Sequence, residues 1–139
     1  MALKTQVMKK IGFILFLFTV SLSSKAGYDL LFCTNADSLG NCKGKGETFE
    51  WKGDKTSLEL LVMNKDKIEA KKLKFMLFSM KNDHEGTLYA ELFLYVMPNS
   101  TYAQKKLYFY KPGYYKVDVL DENYKFLTTG FVTILDRSE

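Results

Sequence analysis

The chain is short of the residues that usually announce chemistry. It has one histidine, two cysteines, two prolines and one tryptophan in 139 residues. A single histidine, His84, and two thiols cannot complete a zinc shell, which takes four ligands. No GxxxxGK[ST] or GxGxxG run is present to cradle a phosphate: Gly44 and Gly46 flank Lys45, but no further glycine pattern follows. No nucleophile-elbow motif occurs. The longest uncharged apolar run, Ile11 to Val20, is far shorter than the roughly twenty residues a membrane-spanning helix needs. There is no internal repeat, no low-complexity linker and no sign of a second domain.

The amino terminus carries its own pattern. Lys4, Lys9 and Lys10 precede the apolar run, and Ser21 to Ala26 then places small residues before Gly27. That order predicts a secretory signal peptide over residues 1–26, cleaved after Ala26. A retained anchor is the alternative reading of the same segment. Cleavage would leave residues 27–139, one ordinary domain able to bury a core. Cys33 follows Phe32 rather than a small residue, so bacterial lipid attachment is not expected. The product is expected to be periplasmic or secreted, without a stable membrane anchor.

Cleavage also changes the charge. Four of the 20 Lys+Arg lie in the leader, leaving 16 against the 16 Asp+Glu, all of which follow it. A neutral mature chain is not expected to bind nucleic acid, which calls for a basic face. Lys71, Lys72 and Lys74 form the one dense basic run, and a solvated strand edge accounts for them. Cys33 and Cys42, an even pair in an exported chain with turn formers between them, predict a disulfide. Closing that loop stabilises by roughly 2–3 kcal/mol in the chain-entropy picture. No metal and no cofactor is expected.

In the mature chain apolar residues recur with period two. Leu88, Ala90, Leu92, Leu94 and Val96 alternate with Tyr89, Glu91, Phe93, Tyr95 and Met97. Similar alternation runs through 104–110, 114–120 and 127–135. The predicted strands are 28–33, 47–51, 57–63, 72–80, 88–96, 104–110, 114–120 and 127–135. Gly53-Asp54, Asn82 to Gly86, Pro98 to Ser100, Pro112-Gly113 and Asp121 to Asn123 punctuate them. Residues 65–72 read as a loop or a single turn. Seven or eight short strands make an all-β antiparallel sandwich.

Residues 109–134 run Pro112-Gly113, Tyr115, Val117, Val119, an acidic turn over Asp121 to Asn123, and a last strand from Leu127 to Ile134. This stretch resembles the final hairpin of bacterial immunoglobulin-like sandwiches of small exported proteins. The resemblance covers about a quarter of the mature chain and implies a fold, not an activity. It also implies that Tyr115 is a tyrosine corner, its hydroxyl bonded to backbone near the start of the penultimate strand. The chain departs from antibody-type domains: Cys33 and Cys42 are too close to be the inter-sheet pair, and Trp51 is not at the usual buried strand position.

Candidate chemistry is thin. His84 lies in the polar turn KNDHEG beside Asp83 and reads as a loop residue, not a catalytic base. Asp118, Asp121 and Glu122 cluster at one turn. Paired carboxylates of that kind can serve glycoside hydrolysis, or ligate calcium with further oxygens. The aromatics are the more informative feature. With the aliphatic set inward, Tyr89, Phe93, Tyr95, Tyr108, Tyr110 and Tyr114 face outward, and Tyr102 joins them. Such a face suits a protein or glycan partner, or a second copy of the chain. The expected role is therefore a non-enzymatic binding or accessory module of the cell envelope. Its rivals are a small hydrolase using the Asp118–Glu122 turn and a structural subunit assembling by strand pairing. Asn99-Ser100-Thr101 is a glycosylation sequon, relevant only in a eukaryotic source.

Overall fold

The computed structural model describes residues 27–137; the expected leader lies outside the described residues. The described chain is all-β. Its strands are β1 (Tyr28–Cys33), β2 (Asn35–Ala36), β3 (Cys42–Lys43), β4 (Thr48–Glu50), β5 (Thr56–Asn64), β6 (Lys72–Met80), β7 (Gly86–Tyr95), β8 (Tyr102–Phe109), β9 (Gly113–Leu120) and β10 (Phe126–Leu135). The eight expected strands are present. The two-residue β2 and β3 are additional, and they pair with each other in a small ribbon.

Two sheets form the sandwich. One has the order β1-β5-β8, the other β4-β10-β9-β6-β7. β1, β5 and β8 thus take the places of strands A, B and E of an immunoglobulin-like sandwich. β6, β9 and β10 take those of C, F and G, and β7 extends the second sheet. The pairing is antiparallel with one exception. The expected antiparallel sandwich is present, and to it is added one short parallel pair, β4 on β10, from Thr133↔Thr48 to Leu135↔Glu50. The reason is topological: the first strand leaves β5 after Cys33, crosses to the other sheet and continues in the same direction.

The core follows from the alternation. Leu58, Leu60 and Val62 of β5 meet Leu73, Phe75 and Leu77 of β6, with Tyr115, Val117 and Val119 of β9 beside them. Burying each such side chain contributes about 1.5–3 kcal/mol. Phe75 sits fully buried on the strand where antibody domains bury a tryptophan. Trp51 instead lies just past β4, packed at the core's margin, its backbone N–H donating to the Leu135 carbonyl at 2.9 Å. β1 crosses β10 closely because Gly130 has no side chain. A Cβ there would stand 2.8 Å from the Phe32 ring.

The Cys33–Cys42 disulfide is formed, with Cα atoms 5.6 Å apart. It pins the β2–β3 excursion to the end of β1. Inside that loop the Asp37 carboxylate accepts the Leu39 and Asn41 N–H groups, each at 2.9 Å. Bonding to Asn41 holds the Asp37 carboxyl below its usual range. The loop rests on β8: Gly40, in the left-handed region at φ +83°, lies flat on the Tyr102 ring, whose hydroxyl donates to the Ser38 carbonyl. Leu61, on the outer side of β5, is fully buried.

At one end of β9 the Tyr115 hydroxyl donates to the Lys111 carbonyl at 2.7 Å, four residues upstream. Its ring lies 4.8 Å from Phe109 and 5.3 Å from Tyr89.

Candidate functional site: the outer face of the five-stranded sheet

A bulge in β7 decides what faces out. Leu77 of β6 pairs with Ala90 and the next residue, Phe78, pairs with Leu88, so Tyr89 is the extra residue. An unpaired residue shifts the alternation by one. Tyr89 therefore turns inward with Ala90 and packs on the core, while Leu88 points out and is 50% exposed. Both were expected the other way round. Beyond the bulge Phe93 and Tyr95 do face out, 44% and 78% exposed.

The expectation of one aromatic stripe is corrected too. Phe93, Tyr95 and Tyr114 belong to the five-stranded sheet, whereas Tyr108 and Tyr110 belong to the side of β8 and stack on each other at 6.4 Å. β7 and β8 are consecutive in the chain but edge opposite sheets. Tyr114 is also engaged. It stacks on Phe131 at 5.5 Å and donates its hydroxyl to Asp83 at 2.7 Å. That hydrogen bond, reinforced by burial, pushes the Tyr114 phenol up to about 12.

The lysines complete the face. β6 is flanked by β9 and β7 and is not an edge, so Lys72 and Lys74 do not form the solvated strand edge expected of them. Lys74 pairs with Phe93 across β7 and with Leu120 across β9. It is only 6% exposed. Its ammonium lies 3.2 Å from the centre of the Tyr124 ring and 6.0 Å from that of Phe93. Lys72 stands 4.8 Å above Phe93 and 5.7 Å from Tyr95. Lys116 covers Phe78 at 4.9 Å. Cation–aromatic contacts of this kind contribute about 0.5–1 kcal/mol at exposed sites and more where water is excluded. The turn after β9 delivers Tyr124. Asp121 accepts the Asn123 and Lys125 N–H groups, and Tyr124 takes a positive φ of 63°, unusual for a residue with a Cβ.

Read across the strands, the face has ordered rows. Tyr95 lies beside Lys72, then Phe93 beside Lys74 and Leu120. Glu91, Met76 and Asp118 follow, then Leu88, Phe78 and Lys116. Sequence reasoning missed Lys72, Lys74, Tyr124, Phe78 and Met76 as members. The alternation Lys72-Leu73-Lys74-Phe75 holds the signal, but only strand order shows that its lysines meet aromatic rings.

The acidic turn does not converge. The Asp118 carboxylate accepts the Thr129 hydroxyl at 2.7 Å and lies 3.5 Å from Lys116. Asp121 holds the turn described above. Glu122 reaches back to accept the N–H groups of Lys71 and Lys72, at 3.1 and 3.4 Å. Its own N–H, then those two, hold its carboxyl below the ordinary range. A general acid needs the opposite shift. His84 stays in its turn, its N–H donating to the Asn82 side chain at 2.7 Å, while Asp83 is committed to Tyr114. Among the described residues no group of three or more His, Cys, Asp or Glu is placed to hold a metal ion.

No protein-family model and no curated protein matches the chain. Among solved structures, the CARDB domain of a Pyrococcus furiosus protein, determined in complex with di-metal ions, is similar at 17% identity. That match spans 87% of this chain and 100% of that chain, with a TM-score of 0.36. A likeness at that level carries no argument. The immunoglobulin-like architecture rests on the strand order itself.

Proposed function

We propose that the chain is an exported, non-enzymatic binding module, and that it engages a protein partner through the outer face of the five-stranded sheet. One observation carries this reading: Phe93 and Tyr95 stand exposed side by side on β7, bridged by the Lys72 ammonium, with exposed Leu88 on the same strand. Contiguous apolar exposure of this kind marks interaction surfaces. The lysines favour protein over glycan. Ammonium groups already cover the faces of Phe93, Tyr124 and Phe78, where a sugar ring would have to stack. A protein surface offering carboxylates to Lys72 and aliphatic groups to the ring edges fits what remains.

Export is supported by the order of charges, apolar run and small residues over 1–26, and by the disulfide, which forms in oxidising compartments.

The test is affinity capture from a native envelope extract, by the parent chain and by a Phe93→Ser/Tyr95→Ser variant shown to be folded by circular dichroism. A protein held by the parent and lost by the variant supports the reading. Equal retention, or retention by neither, overturns it.

A further inference from the structure

β8 ends its sheet: among the described residues no strand lies beside it on the side away from β5. By the strand period of two, half the backbone N–H and C=O groups over Tyr102–Phe109 turn to that open side. Tyr110, just past the strand, shows the direction. Its N–H meets the Tyr89 hydroxyl across the gap at 3.0 Å.

Facing this edge is the inner side of β7. Ala90, Leu92 and Leu94 pack on the core yet stay only half-buried, because the three-stranded sheet stops at β8. The seam so formed holds two cavities. One of about 290 Å³ lies between Ala90, Leu92 and Leu107. The other, about 520 Å³, is bordered by Leu94, Ala103 and Gln104.

One cationic group on the inner side of β8 is open to a partner there. Lys105, in register with inward-facing Leu60, makes no ion pair among the described residues.

We propose that this seam is a strand acceptor. It takes an extended segment of a partner protein that pairs with the free edge of β8. An extended chain would pair with this row of edge amides and carbonyls in place of water. Aliphatic side chains at two alternate positions would cover the half-buried column of β7. A carboxylate at the alternate position between them would sit opposite Lys105, since directly opposed charges attract across strands. This site lies away from the outer face of the five-stranded sheet and stands or falls separately.

The probe is a capped, fluorescein-labelled heptapeptide with threonine at odd positions and valine, glutamate and valine at the even ones. It is titrated into the purified full chain by fluorescence anisotropy. Companion peptides carry lysine for the glutamate, or N-methyl groups on alternate amides. The parent is expected to bind the glutamate peptide saturably and to lose the N-methylated one. Lys105→Glu is expected to reverse the preference toward the lysine peptide. Leu92→Glu is expected to weaken binding by about tenfold or more, equivalent to about 1.4 kcal/mol. Amide exchange is expected to slow over Tyr102–Phe109. A Phe93→Ser variant is expected to bind like the parent, which separates this site from the outer face. Absence of saturable binding overturns the proposal. So does equal affinity for the N-methylated peptide, or an unchanged charge preference in Lys105→Glu. A dimer of the chain that itself protects the β8 amides would also overturn it, by making a second copy the occupant.

Discussion

Replacing Tyr115 by Phe removes one oxygen and leaves the shape of the core almost unchanged. The ring is 1% exposed, and its hydroxyl donates to the Lys111 carbonyl. A neutral hydrogen bond of this kind contributes about 0.5–1.5 kcal/mol net. Lys111 lies in the loop before β9, where water can reach its carbonyl once the phenol is gone, so we expect a loss of about 1 kcal/mol. At about 2.1 cal/mol/K per residue, the unfolding entropy of this domain is roughly 230 cal/mol/K. A loss of about 1 kcal/mol then lowers the midpoint by about 4 °C. Thermal unfolding followed by circular dichroism at neutral pH reads this directly. Alkali supplies a second signature. Burial, with the Tyr89 phenol next to it, pushes the Tyr115 phenol up to about 12 from an ordinary 10.0. The unfolded chain therefore releases this proton first as pH rises. The raised folded value contributes stability that is intact below about pH 10 and is lost on the way to about 12. Phe has no such proton, so the gap between parent and variant should narrow over that window. Equal midpoints at neutral pH, together with a constant gap in alkali, would refute the reasoning.

The remaining predictions concern other elements. Cys33→Ser/Cys42→Ser should lower the free energy of unfolding in urea by about 2–3 kcal/mol and open residues 34–41 to proteolysis; an unchanged urea midpoint would contradict this. Gly130→Ala should cost about 1–3 kcal/mol, because the new methyl meets the Phe32 ring, and the same titration measures it. Glu122→Gln should be less stable than the parent at neutral pH. Since the Glu122 carboxyl sits below its ordinary 4.5, its contribution is present above that value and is lost as pH falls below it. Acid unfolding curves of the two chains should therefore converge as pH drops.

The strands were legible because period-two alternation, broken by Pro112-Gly113, Asn82 to Gly86 and Asp121 to Asn123, is a local property. The disulfide was legible as well, since turn formers between Cys33 and Cys42 allow the loop to close. The inversion of Leu88 and Tyr89 was not. A bulge is set by what β6 offers on the opposite strand, and nothing in TLYAEL marks it. The ribbon of β2 and β3 was hidden because two-residue strands carry no period. Period two also says that Tyr95 and Tyr108 leave their sheets, but not that the chain changes sheets between them. The burial of Lys74 depends on rings from β7 and from the turn after β9, so it needed the strand order before it could be read.

The most direct test of the partner surface is photo-crosslinking in the native host, with a benzophenone side chain placed at Tyr95 in one chain and at Tyr110 in another. The account predicts a discrete protein adduct from position 95, on the outer face of the five-stranded sheet, that is absent from position 110. An adduct of the same protein from position 110 alone, or no adduct from position 95, would contradict it.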